Sequence, residues 1–113
     1  CGKSISIVED QFVTPTSAGF LAEAIFSLSM NGFDGVWNVC SKGKISRYDM
    51  ANTIAKIIGE ERPMIRKIKM ADLNWLADRP MDSSLDCSKS SKIIDVKSFD
   101  EMISDLYSER NAV

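Results

Sequence analysis

The chain contains no histidine. That excludes a Ser-His-Asp triad, a Cys-His pair and any histidine-ligated metal built from these residues. Cysteine is scarce: Cys1, Cys40 and Cys87 are odd in number and match no zinc or redox spacing. They read as reduced thiols and so as a cytoplasmic protein, with Cys40, at the end of an apolar run, serving as packing. The six glycines never fall as G-x-G-x-x-G or G-x-x-G-x-x-G, the turns that let backbone approach a dinucleotide pyrophosphate. Tyr-x-x-x-Lys is also missing, since Tyr48 is followed four residues on by Asn52 and Tyr107 by Asn111. No apolar run approaches the length of a membrane span, and no secretory signal is visible. Neither sign of charge dominates: 14 basic residues face 16 acidic ones, for a net charge of −2. This balance gives no electrostatic case for nucleic-acid or membrane binding. The densest basic stretch, residues 62–69, reads as the solvated side of a strand whose Met64, Ile65 and Ile68 are buried.

What is present suits one globular domain. The 113 residues are 44% hydrophobic and 27% charged, enough for a small core. A start at Cys1 rather than Met reads as a fragment or a processed product. Residues 5–8 read as a strand and residues 17–31 as a helix, with Ala18, Leu21, Ala22, Ile25 and Leu28 forming its buried stripe. Asn31-Gly32 ends that helix. Residues 36–40 alternate and read as a second strand, in which Trp37 is a core residue or a sugar platform. Ser46-Arg47-Tyr48-Asp49 resembles a capping box. It opens a helix whose face carries Met50, Ala51, Ile54, Ala55 and Ile58, and which Gly59 ends. Arg62-Pro63 breaks the chain before a strand over residues 64–69. Residues 70–78 are ambiguous, with one helical turn carrying Leu73, Trp75 and Leu76. Residues 84–87 read as extended, and 88–92 as a short helix capped by Ser88. Ser98-Phe99-Asp100-Glu101 is a capping box for a last helix lined by Phe99, Met102, Ile103, Leu106 and Tyr107, with residues 109–113 a frayed tail. The order is that of an α/β lobe, not of a full doubly wound sheet.

The stretch Glu9-Asp10-Gln11-Phe12-Val13-Thr14-Pro15-Thr16 organises this order. Pro15 pushes Thr14 toward extended geometry, and Thr16 or Ser17 can accept from the first free N–H groups of the helix. A polar loop between a strand and a capped helix is a common place for a ligand, as well as an ordinary connection.

Three motifs in sequence carry a resemblance: Asp10-Gln11-Phe12 with Pro15-Thr16 and Leu21-Ala22-Glu23-Ala24-Ile25; Gly35-Val36-Trp37-Asn38-Val39; and Arg79-Pro80-Met81-Asp82-Ser83-Ser84-Leu85-Asp86-Cys87-Ser88-Lys89. From about Ile5 to about Tyr107 the chain resembles the C-terminal half of the dTDP-4-dehydrorhamnose reductases, extended short-chain dehydrogenase/reductases. The resemblance implies a small substrate-binding lobe lacking most of the Rossmann sheet. It implies a parent protein that reduces a 4-keto-6-deoxy sugar nucleotide with NADP or NAD as cofactor, as in dTDP-L-rhamnose synthesis. This chain alone would bind no cofactor and hold no catalytic residue. By the same resemblance, Gln11 and Thr16 offer hydrogen bonds to sugar hydroxyls and Phe12 an apolar wall. Arg79 offers its fork to a carboxylate or a diphosphate, or pairs structurally with Asp82 or Asp86, while Ser83 and Asp86 cap backbone. Val13 stands where the family usually has Gly, which implies a reshaped loop. The partners implied are the nucleotide sugar and an N-terminal Rossmann domain. The face toward that domain should be apolar and exposed, and prone to self-association. A second resemblance, through Asp86-Cys87-Ser88-Lys89, is to a regulatory subunit of methionine adenosyltransferase, which implies docking to a partner enzyme in place of catalysis.

Overall fold

The computed structural model describes residues 4–59 and 64–111. Strand β1 (Ser4–Val8) carries β-branched residues at alternate positions and lies parallel to β4 (Met64–Ile68), in register from Ser4 opposite Met64 to Val8 opposite Ile68. A parallel pair needs a crossover, and here the intervening chain supplies it. That chain runs through a short strand β2 (Phe12–Val13), helix α1 (Ala18–Met30), strand β3 (Ile45–Ser46) and helix α2 (Arg47–Ile58). Strands β2 and β3 form a separate antiparallel pair. After β4 come a 3-10 turn (Met70–Asp72), a one-turn helix α3 (Ser88–Ser91) and helix α4 (Phe99–Asn111). The architecture is mixed α/β with small sheets.

Helix boundaries follow local chemistry. The Ser17 hydroxyl accepts from Phe20 N–H at 3.3 Å and starts α1. Asn31 and Gly32, the latter at φ +73°, end it. Ser46 caps α2 through Asp49 N–H at 3.1 Å, and Gly59 closes it at φ +82°. At α4, Ser98 Oγ accepts from Glu101 N–H at 3.3 Å. The ambiguous 70–78 stretch resolves into its single helical turn, closed by Asp72 accepting from Lys69 N–H at 2.9 Å.

Several expectations are corrected. Residues 36–40 form no ladder. A strand needs a neighbour for its backbone groups, and among the described residues none lies alongside. Instead Lys89 Nζ donates to Val36 O at 3.1 Å, and Ser90 Oγ donates to Asn38 O. On α1 the buried residues are Phe20 and Ala24, whereas Leu21 and Ile25 of the expected stripe are exposed. The helix is apolar on more than one face, and it turns Phe20 toward α4, where Ser17 N–H also meets Met102 Sδ at 3.5 Å. Met64 is exposed as well, because a two-stranded sheet has a face that α2 does not cover. Ser88 does not cap α3; Asp86 accepts from both the backbone N–H and the hydroxyl of Ser88. Helix α4 runs through Asn111. Cys1 and the break at Arg62 and Pro63 lie outside the described residues. The core gathers Val8, Phe20, Ala24, Cys40, Met70, Phe99 and Met102.

Candidate functional site

Residues 10–14 tie a different segment of the chain at nearly every position. Asp10 Oδ1 accepts from Met70 N–H at 2.8 Å and so fixes the turn after β4. Gln11 accepts twice from Arg47, through Oε1 from Nε at 2.7 Å and through its carbonyl from the backbone N–H at 3.1 Å, which fixes the start of α2. Phe12 N–H donates to Met81 O at 2.7 Å, and Phe12 O accepts from Ser83 N–H at 3.1 Å. Val13 pairs with Ile45, a strand position that suits a β-branched side chain. Thr14 Oγ1 accepts from Leu85 N–H at 3.1 Å. Thr16 Oγ1 donates to Thr14 O at 3.1 Å, which leaves Ser17 as the cap of α1.

The segment that Phe12 holds has its own polar frame. Asp82 Oδ1 accepts from Ser84 N–H at 3.0 Å, and Asp86 repeats the pattern with Ser88. Both are Asp-x-Ser turns, in which a carboxylate takes the place of a backbone acceptor two residues back. Lys44 Nζ sits 2.7 Å from Asp82 Oδ2 and 5.1 Å from the centre of the Phe12 ring. Lys44 and then the Ser84 hydroxyl hold the Asp82 carboxyl well below the usual carboxylate range. The Ser88 hydroxyl does the same to Asp86 more mildly. The Arg79 guanidinium lies 5.2 Å from the Trp75 ring centre, and Trp75 Nε1 donates to Met70 O at 3.0 Å. Trp75 therefore rests on the same turn that Asp10 fixes.

The residues singled out from sequence are not gathered in one cavity. Phe12 and the chain just beyond Arg79 come together through the bonds to Met81 and Ser83. Gln11 faces inward, 5% exposed, and its side-chain oxygen is committed to Arg47. Thr16 borders a cleft with Phe99, Met102, Ile103 and Leu106 of α4. Asp82 and Asp86 have partners other than Arg79, whose partner is aromatic. Trp37 is half-buried, edge-on to Phe33 at 5.3 Å and under Lys89 Nζ at 4.1 Å. Sequence reasoning missed Thr14, Lys44 and Arg47. The two Asp-x-Ser repeats were a readable signal for the frame around Asp82. Nothing local pointed to Arg47, which meets Gln11 only through the tertiary fold. Among the described residues no three His, Cys, Asp or Glu side chains gather to hold a metal ion. No described helix is long and apolar enough to cross a membrane.

Comparison with known proteins places this geometry. Over 87 residues, 77% of this chain, it is 33% identical to the probable low-salt glycan biosynthesis reductase Agl14 of Haloferax volcanii, of which it covers 29%. It superposes with a TM-score of 0.85 on dTDP-4-dehydrorhamnose reductase from Bacillus anthracis, solved in complex with NADP, at 21% identity. That match covers 95% of this chain and 38% of the other. A dTDP-4-dehydrorhamnose reductase from Clostridium acetobutylicum gives a TM-score of 0.84 at 21% identity, covering 97% of this chain and 40% of that one. The chain thus spans less than half the length of the relatives it matches. Residues 2–111 match the family model of the RmlD substrate binding domain, and the chain belongs to that family, the family of the dTDP-4-dehydrorhamnose reductases.

Proposed function

We propose that this chain is the substrate-binding lobe of a sugar-nucleotide reductase and is not catalytic alone. The complete protein would reduce a 4-keto-6-deoxy sugar nucleotide. The observation that carries this reading is the family match along residues 2–111, by a chain that covers only 38% of the Bacillus anthracis reductase. The residues present do not fit a dinucleotide: after β1 come Glu9, Asp10 and Gln11 in place of a glycine-rich turn. NADP or NAD would therefore be held by a Rossmann domain outside this chain. What this chain contributes is binding and orientation. Phe12, braced by Lys44, forms an apolar wall for the sugar. Arg79, held over the Trp75 ring, presents its fork to the diphosphate. Thr16 lines the far end of the loop. Gln11 takes a changed role, positioning the loop by its bond to Arg47.

The test is a titration of dTDP-rhamnose followed by backbone amide chemical shifts, on this chain and on the chain joined to a reductase Rossmann half. Weak binding is expected for the lobe alone. Shifts should be confined to the neighbours of Phe12, Thr16 and Arg79, and should weaken about tenfold or more in Arg79→Ala, a loss of at least about 1.4 kcal/mol. Flat titrations with both proteins would overturn the proposal.

A further inference from the structure

Helix α1 ends on a reactive pair of residues. Asn31 carries a carboxamide, and Gly32 sets beside it a backbone nitrogen with no side chain to shield it. Both residues are exposed, and nothing lies within 4 Å of the place a Gly32 Cβ would take. In an open chain such a pair is prone to attack of the glycine nitrogen on the asparagine Cγ. The folded cap opposes that attack. Asn31 Nδ2 donates to Ser27 O at 2.7 Å, which ties down the side chain. Gly32 N–H donates to Ser29 O at 3.2 Å and Phe33 N–H to Leu28 O at 3.1 Å, the paired bonds of a Schellman end. Asn31 has ψ 8°, so the Gly32 nitrogen eclipses the Asn31 nitrogen and not its Cβ, and a ring cannot close through the side chain. We propose that Asn31-Gly32 is a latent modification site, which converts to aspartate and isoaspartate only when the last turn of α1 opens, and whose product keeps that turn open.

The chemistry needs only water and hydroxide. Hydroxide takes the Gly32 N–H proton, and the nitrogen bonds to Asn31 Cγ. The Cγ–Nδ2 bond then breaks, and ammonia leaves with a proton from water, which restores the hydroxide. The product is a cyclic imide. Water adds to one of its two carbonyls. Breaking the bond from the Gly32 nitrogen to Cγ gives aspartate, and breaking its bond to the backbone carbonyl carbon gives isoaspartate. One water is consumed and one ammonia released. A carboxylate at position 31 has no proton for Ser27 O, and it stands at the negative end of the helix dipole. Isoaspartate also adds a carbon to the backbone before Gly32, which puts the Schellman bonds out of register. Helix ends are where local opening is easiest, so the modification reports how often this end frays. It stands independently of any sugar ligand.

The test is peptide mapping of the native chain after incubation in mildly alkaline buffer, beside the same chain held unfolded in urea. Conversion is read as the mass gained when NH2 gives way to OH, with fragment ions placing it at Asn31 and not at Asn38. Chromatography separates the aspartate and isoaspartate forms. The unfolded chain should convert at least about tenfold faster than the native one. In Asn31→Asp, amide-exchange protection should be lost at Gly32 and Phe33 and kept around the buried Phe20, which shows the variant to be folded. Equal rates in the native and unfolded chains would overturn the proposal, as would no conversion in either. So would native protection at Gly32 and Phe33 in Asn31→Asp.

Discussion

Gln11 shows how a residue selected as a ligand contact can first be a structural tie. Its side-chain oxygen accepts from Arg47 Nε at 2.7 Å inside an almost closed environment. Removing that acceptor leaves a gap on the Gln11 side, whereas Arg47 is exposed and can turn to water. Gln11→Ala is therefore expected to cost about 1–3 kcal/mol and Arg47→Ala less, as read from urea denaturation midpoints. Asp82 makes a pH prediction with a definite sign. Its carboxyl is depressed in the folded chain by Lys44 and Ser84. The stabilisation it gives is present above the ordinary aspartate value of about 3.9 and is lost as pH falls from there toward the lower folded value. Asp82→Asn should flatten the acid limb of the stability-against-pH curve while leaving its slope above about pH 5 unchanged. An unaltered acid limb would show that the Lys44 pair is too solvent-exposed to matter.

At the scale of elements, most short-range signals held, the Ser88 cap excepted, whereas several that depend on a partner segment did not. Ser17, Ser46, Asn31-Gly32 and Gly59 mark helix ends where expected, because a cap is satisfied within a few residues of itself. Ser46→Ala should destabilise by about 1 kcal/mol, with the loss of α2 visible as reduced amide-exchange protection from Arg47 onward. The 36–40 segment fails as a strand for the opposite reason. Its alternation was legible, but a ladder requires a second chain segment at the right spacing, and its carbonyls are taken by Lys89 and Ser90 instead. Helix α1 illustrates a third case. Helical periodicity reported apolar residues at 18, 21, 22, 25 and 28, yet Phe20 and Ala24 are the ones enclosed. A helix apolar on two faces does not declare which face its own chain will cover.

At the scale of the molecule, the radius of gyration is 16.4 Å and the extents are 50 × 40 × 21 Å. A closed domain of about 100 residues has a radius near 13 Å. Its accessible surface, 8110 Å², exceeds the roughly 6,200 Å² expected of a folded monomer of this mass. Much of the excess is apolar: Phe26, Met30, Val36 and Leu76 are all exposed. Such surface is costly in water at about 25 cal/mol per Å². Sedimentation velocity of the isolated chain should show a weight-average mass that rises with concentration, and joining it to a Rossmann half should suppress that rise. A strictly monomeric chain across the micromolar range would count against an unsatisfied interface.

What depends on near neighbours could be read from the residues: most helix ends, the lack of histidine chemistry and of a dinucleotide turn, and the three motifs that mark the family. What depends on distant segments meeting was settled by the fold. It turned Gln11 inward to Arg47, set Arg79 on Trp75 in place of a carboxylate, left residues 36–40 without a ladder and chose the buried face of α1. The division has one physical cause. A cap or a turn is satisfied within about four residues and is written into them. A buried face or an aromatic–cation pair is satisfied by whichever segment the fold brings alongside, and no local pattern names that segment.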